Sequence, residues 1–267
     1  MPVPASELVY GLHALGALLD EDPSVILEVW VGATGPRAVR LAERIAAMGI
    51  SVRRCDRGTL DRLAPGARHQ GVVARVRSRP APSWRSVLDQ VAAAPLRRGR
   101  DEPPPLLLVL DQVQDPRNLG ACVRSAAAAG ATAVVVPRRR AAGVTAAVRR
   151  TAAGGTERVP VVEVPNLARA LRDLSAGGLT IAGADAGAST PAWSTDLTGP
   201  LALVLGAEEG GLRRLTREHC DHLAAIPMTA GGASLNVSVA TGILLYEVLR
   251  QRHAAASGRS GAGARNG

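Results

Sequence analysis

Ile226-Pro-Met-Thr-Ala-Gly-Gly-Ala-Ser-Leu-Asn-Val-Ser-Val-Ala240 decides how the rest of the chain is read. An apolar strand ending opens into a glycine-rich turn, and the turn hands over to a helix whose start carries Ser234, Asn236 and Ser238. The amide N–H groups of such a turn and of the first helical residues have no partner within the helix, so this junction is suited to binding a ligand. Two earlier segments share the design. Leu106–Leu110 is continuously apolar, breaks into Asp111-Gln-Val-Gln-Asp-Pro-Arg-Asn118 and restarts as the helix-like Leu119-Gly-Ala-Cys-Val-Arg-Ser-Ala126. Leu201–Leu205 breaks into Gly206-Ala-Glu-Glu-Gly-Gly-Leu212. Loops at the ends of buried strands are where α/β sheets hold their ligands, and these three carry most of the unusual polar chemistry.

Around these loops the pattern alternates between strand and helix. Strands are expected at Leu106–Leu110, Ala133–Val136, Val159–Val164, Leu179–Gly183, Leu201–Leu205 and Leu223–Ile226, with a long final helix over Asn236–Arg250. Apolar runs separated by helical stretches predict a mainly parallel sheet covered on both faces. A smaller α/β unit precedes it, with helices at Gly11–Leu19, Arg37–Met48 and Gly58–Leu63 and strands at Ile26–Val31, Ile50–Arg53 and Gly71–Val76. Pro- and Arg-rich stretches flank a short helical segment, Trp84–Ala93, and mark a connection. The expected division is therefore 1–80, a linker at 81–105, a second domain at 106–253, and a tail at 254–267 that lacks an apolar period and is expected to be disordered.

With 267 residues and 46% hydrophobic content, the chain has ample material for packed cores. Its 32 basic residues, all arginine, outnumber 23 acidic ones, and the net charge of +9 favours a polyanionic partner, nucleic acid above all. Arg138-Arg-Arg140, Arg149-Arg150, and Arg213-Arg214 with Arg217 are candidate phosphate contacts, set against the plain reading of a solvated helix face. Five Trp and Tyr residues and no Phe leave little for base stacking. Three widely spaced cysteines suggest neither a disulfide framework nor a metal motif, and fit a reducing cytoplasm. His219 and His222 lack a third ligand, so no metal is expected. No apolar run reaches the roughly 20 residues that cross a bilayer, so no membrane partner is expected either. Neither G-x-G-x-x-G nor G-x-x-x-x-G-K-[ST] follows a strand, which argues against dinucleotide and triphosphate binding.

Asp111-x-Val-x-Asp-Pro-x-Asn-x-Gly-Ala-x-x-Arg-Ser-Ala126, then Leu203-Val-Leu-Gly-Ala-Glu208, then Ile226-Pro-Met-x5-Ser-Leu-Asn-Val-Ser-Val-Ala240 resemble, in order, the three signature motifs of the SpoU (TrmH-type) RNA ribose 2′-O-methyltransferases. Tyr10-Gly-x-His13 and His69-Gln-Gly71 resemble the substrate-binding domain of the RlmB-type branch, which acts on 23S rRNA guanosine. One departure is Glu209, which stands directly after Glu208 where the family often has Gly. The resemblance implies an α/β fold in which a small RNA-binding domain, similar to a ribosomal protein, precedes a SPOUT domain tied in a trefoil knot. It further implies a cytoplasmic homodimer that binds S-adenosylmethionine at the dimer interface and methylates RNA. Carried over by motif, backbone at Gly206, Ile226 and Leu235 would hold the methyl donor, and Asn118, Arg124, Glu208, Ser234 and Asn236 would form the reaction centre.

Structural readings stand beside these. Asn118 just before a helix would serve as its N-cap, and Ser234 and Asn236 would cap the last helix. Arg124, on an Ala-rich helix, is expected among buried neighbours, and Cys122 is expected in the core. Within the enzyme class, a tRNA ribose or an antibiotic-target nucleotide of the ribosome are alternative substrates; outside it stands a silent RNA-binding homologue.

Overall fold

The computed structural model describes residues 6–32, 35–77, 83–97, 103–207, 210–229 and 234–263, which fall into two compact units. The first comprises residues up to Pro80 together with Ala153–Arg158. It runs β1 (Ser6–Tyr10), α1 (Leu12–Glu21), β2 (Ile26–Gly32), α2 (Pro36–Ala47), β3 (Val52–Cys55), α3 (Arg57–Leu63) and β4 (Val72–Arg77). The sheet order is β1-β4-β2-β3; β4 is antiparallel to both its neighbours, and β2 and β3 are parallel. Leu15, Val29, Ile45, Val72 and Ala74 are fully buried between sheet and helices. The strand β1 has no counterpart in the sequence reading, because five residues with a single edge pairing leave too short an alternation to stand out.

The second unit contains the rest, beginning with α4 (Trp84–Arg97) and β5 (Leu106–Asp111). It continues through α5 (Pro116–Ala128), β6 (Ala133–Pro137) and α6 (Ala146–Ala152); the short α7 (Gly155–Arg158) groups with the first unit. Then follow β7 (Val161–Val164), α8 (Leu167–Ala176), β8 (Thr180–Ala184), β9 (Leu201–Gly206), α9 (Arg214–Glu218), β10 (His222–Ala224) and α10 (Val237–Gly263). Six strands form one sheet in the order β10-β8-β9-β5-β6-β7, and every pairing in it is parallel. The expected parallel sheet with two covered faces is what the chain builds.

Strand β5 shows why its sequence reads as unbroken apolar. Leu106, Leu108 and Leu110 point to one face, where they meet Leu119 and Val123 of α5 and Leu244, Leu245 and Val248 of α10. Leu107 and Val109 point to the other, against Val87 and Val91 of α4 and Leu171 and Leu174 of α8. Each such leucine removed from water contributes about 1.5–3 kcal/mol. The stretch read as a linker thus carries a helix with a buried face, further fixed by the Trp84 indole N–H donating to Asp173 at 3.1 Å.

Glycine 120 sets how closely α5 and α6 approach. A Cβ there would lie 2.6 Å from the Thr151 Cβ and 2.8 Å from the Val148 carbonyl oxygen. At the far end, Arg252 on α10 donates to the carbonyls of Pro104, Pro105 and Gly199, joining the last helix to the residues that lead into β5 and β9. Burial lowers its guanidinium pKa to about 10. The helix α10 continues to Gly263, through ten residues of the segment read as tail. Ala254, Ala255 and Ala256 favour helix without any apolar period, which a search for amphipathic pattern overlooks. No helix among the described residues is long and apolar enough to cross a membrane.

Candidate active site

Chain order and sheet order diverge between β5 and β9. From β5 the chain steps outward to β6 and β7, then crosses back to lay β8, β9 and β10 on the other side. Such a switch point opens a crevice at the carboxyl ends of the strands, where open parallel sheets bind their ligands. A pocket of about 290 Å³ lies there, bounded by the ends of β8 (Ala184, Asp185), β9 (Leu205, Gly206) and β10 (Ala224, Ile226) and by the start of α10. Gly206, Ile226, Ser234 and Leu235 all line it, so four of the residues singled out from the sequence meet around one cavity. Its remaining walls are largely apolar, including Leu212, Met228, Val237 and Ala240.

The wall at Gly206 is backbone packed on backbone. A Cβ on Gly206 would come within 2.0 Å of Gly211 C and O and 2.4 Å of Leu212 N. The loop folds back through the Gly211 N–H, which donates to the Ala207 carbonyl at 2.8 Å, and Gly211 turns the chain with φ of +60°. Only glycine fits at 206, and glycine adopts the φ of 211 most readily. Below this loop, Asp111 at the end of β5 is fully buried and takes two hydrogen bonds from Arg213, from Nε at 2.7 Å and from the backbone N–H at 3.1 Å. Asp111 opens the first motif, and it anchors the pocket loop across 102 positions of sequence. A carboxylate closing an apolar strand was the available signal.

The remaining residues gather on the β5 side. Asp115, not Asn118, caps α5, accepting from the Arg117 N–H at 2.8 Å; Asn118 lies one residue beyond Arg117, in the first turn. Its Oδ1 accepts from Asn236 Nδ2 at 3.1 Å, which joins the first motif to the third. Asn236 also caps α10, its Oδ1 accepting from the Ser238 N–H at 2.9 Å. Capping and bridging are therefore done by opposite ends of one amide.

Arg124 corrects the reading made from composition. The helix α5 buries Leu119, Gly120, Cys122, Val123 and Ala126, which leaves Arg124 on the exposed face, outside the pocket lining and without an ion pair to another described residue. Glu208 lies outside the described residues. Cys122 is fully buried, with Sγ 3.3 Å from the Thr241 hydroxyl, as a core residue. His69 is structural: its Nδ1 accepts the Gly71 N–H at 3.1 Å, so Nε2 carries the proton toward Asp61 at 3.0 Å.

The arginines at 213, 214 and 217 do not form a free phosphate-binding cluster. Arg213 is held by Asp111, Arg214 by Glu218 and Arg217 by Asp185. Among the described residues, no group of three or more His, Cys, Asp or Glu is arranged to hold a metal ion.

Comparisons with known proteins fit this geometry. Residues 105–246 match the SpoU rRNA Methylase family, and residues 8–82 match the RNA 2′-O ribose methyltransferase substrate binding family. The 23S rRNA (guanosine-2′-O-)-methyltransferase RlmB of Haemophilus influenzae is 46% identical over 250 residues, covering 92% of this chain and 98% of that protein. The same enzyme of Pseudomonas aeruginosa is 47% identical over 249 residues, covering 92% and 97%. Among solved structures, the SpoU methyltransferase AviRb from Streptomyces viridochromogenes in complex with the cofactor AdoMet superposes with a TM-score of 0.72 at 25% identity, covering 93% of this chain and 91% of that one. By both halves of its sequence and by its fold, the chain belongs to the SpoU rRNA methylase family.

Proposed function

We propose that this chain transfers a methyl group from S-adenosylmethionine to a ribose 2′-hydroxyl of RNA, the substrate being a guanosine of 23S rRNA. The observation that carries this reading is the meeting of Gly206, Ile226, Ser234 and Leu235 around one pocket at the switch point. The residues fit the donor. An apolar slot with exposed backbone suits an adenosine, with Gly206, Ile226 and Leu235 as its holders. When bound, the donor supplies an electrophilic sulfonium methyl.

What the chain must add is a usable nucleophile. A ribose hydroxyl holds its proton tightly at neutral pH, so it has to be aligned with the methyl and stabilised as the proton leaves. Arg124 supplies this in our reading. A guanidinium is fixed in its charged form and is poorly suited as a base, whereas orienting a phosphate and offsetting developing negative charge on the sugar oxygen suit it well. Asn118, Ser234 and Asn236 then hold the ribose, and Glu208 steadies an arginine or loop amides.

Residues 1–80 serve as the RNA-binding part and 106–253 as the methyltransferase, working in the cytoplasm. The trefoil knot belongs to the same proposal. So does the homodimer. Val239, Ile243 and Tyr246 recur along α10 with 50%, 44% and 58% exposure, an apolar stripe that a second copy of the chain would cover.

The test is incubation of 23S rRNA with the chain and S-adenosylmethionine, followed by mapping of 2′-O-methyl positions. We expect one modified guanosine. Methylation of tRNA alone, or binding of RNA without uptake of S-adenosylmethionine, overturns the reading.

A further inference from the structure

Two groups of arginines flank the same edge of the parallel sheet, and they are treated in opposite ways. Beyond β9, the arginines at 213, 214 and 217 are each held by a carboxylate. Beyond β6, Arg138, Arg139 and Arg140 are all exposed, and none makes an ion pair or side-chain hydrogen bond with another described residue. Three adjacent guanidiniums left without carboxylates repel one another, so an external anion lowers their energy.

The loop that carries them is held in shape. Its first residue, Arg138, donates its N–H to the Val164 carbonyl at 2.8 Å, and Ala142 donates to the Val113 carbonyl at 3.0 Å. Arg140 sits at φ of +60° and Gln112 at +65°, conformations that side-chain-bearing residues rarely adopt. Val113 lies in the Asp111–Asp115 loop that leads directly into Asn118, and β5 and β6 are adjacent parallel strands. The arginine loop is thus hydrogen-bonded to the loop that presents the expected reaction centre.

We infer that Arg138, Arg139 and Arg140 form a phosphate clamp on the methyltransferase unit, gripping the RNA backbone beside the nucleotide to be methylated. The inference rests on the proposed function and adds to it a site for RNA outside the substrate-binding part. Guanidiniums suit the task because they are permanently charged and meet phosphate oxygens through paired N–H groups. These are positioning residues, acting on RNA placement and not on the reacting atoms.

The test compares two triple variants with equal loss of charge. One carries Arg138→Gln, Arg139→Gln and Arg140→Gln. The other carries Arg85→Gln, Arg214→Gln and Arg250→Gln, each removing an arginine already paired with a neighbouring carboxylate. Methyl transfer to a 23S rRNA fragment and RNA affinity are measured from 50 to 200 mM salt. For the clamp variant we expect KM for RNA to rise at least about tenfold, the slope of log affinity on log salt to fall by about 2, and kcat at saturating RNA to stay within about threefold. Its affinity for S-adenosylmethionine should be unchanged, and the control variant should keep the wild-type slope. Equal loss in both variants, or an unchanged slope in the clamp variant while the wild type methylates normally, overturns the inference alone. A wild type that methylates no RNA instead defeats the proposed function.

Discussion

The edge of the parallel sheet has two halves built on different principles. On the β8, β9 and β10 side, the wall is backbone and apolar side chain, Gly206 is fixed by close contact, and the arginines are internally paired. On the β5 and β6 side, polar amides from distant motifs meet and three arginines face solvent without an ion-pair partner among the described residues. The first half suits a small, partly apolar molecule of fixed shape, and the second suits a large anion. A transfer reaction between two such partners needs both to open onto the same edge.

Substitutions can break each half separately. The largest effect is expected from Gly206→Ala, because its methyl group would overlap the Gly211 backbone, which cannot swing aside as a side chain would. Binding of S-adenosylmethionine should vanish in calorimetry, with a stability loss of about 3 kcal/mol; retained binding would mean the pocket lies elsewhere. Arg124→Ala should lower kcat by about 10²–10³ and leave donor affinity intact, since its side chain is outside the pocket lining. Unchanged turnover in a methylation assay would remove it from the reaction centre.

Asp111→Asn should cost about 2 kcal/mol in denaturant unfolding, less than a wholly buried pair would, because Arg213 stays 45% exposed and can be hydrated. Donor affinity should fall along with stability. Asn236→Asp sharpens the boundary between the halves: it keeps the acceptor that caps α10 and deletes the N–H donated to Asn118. Stability should shift by less than about 1 kcal/mol while turnover drops, whereas Asn236→Ala loses the cap as well, about 1 kcal/mol more.

The smallest effect concerns Cys220, whose thiol burial pushes up to about 12 from an ordinary 9.0. A native thiol that stays protonated while the unfolded chain ionises contributes stability that is complete below pH 9 and is lost as pH rises toward 12. Between pH 9 and 10 the wild type should lose at most about 1 kcal/mol relative to Cys220→Ser, in which Arg252 titrates identically, in parallel urea titrations.

What could be read from the sequence follows the range of the forces involved. The strands β5 and β9, buried on both faces, announce themselves as continuous apolar runs, and their broken ends identify Gly206 and Asn118. Partnerships between distant residues do not announce themselves: Asp111 meets Arg213 and Asn118 meets Asn236 across more than a hundred positions. The exposure of Arg124 was misjudged because alanine neighbours look apolar in a list, while the helix sends them to both of its sides. Which arginines are paired and which are not is likewise a property of the folded chain, since Arg213 and Arg138 read alike as members of a basic run.

The helix α10 helps close one face of the parallel sheet with Leu244, Leu245 and Val248, more than a hundred positions after β5. A nascent polypeptide still lacking those residues has β5 only partly covered on that side, so the methyltransferase unit cannot complete its core until α10 has been made. Premature termination inside α10 therefore yields a sticky, aggregation-prone product with no enzyme at all.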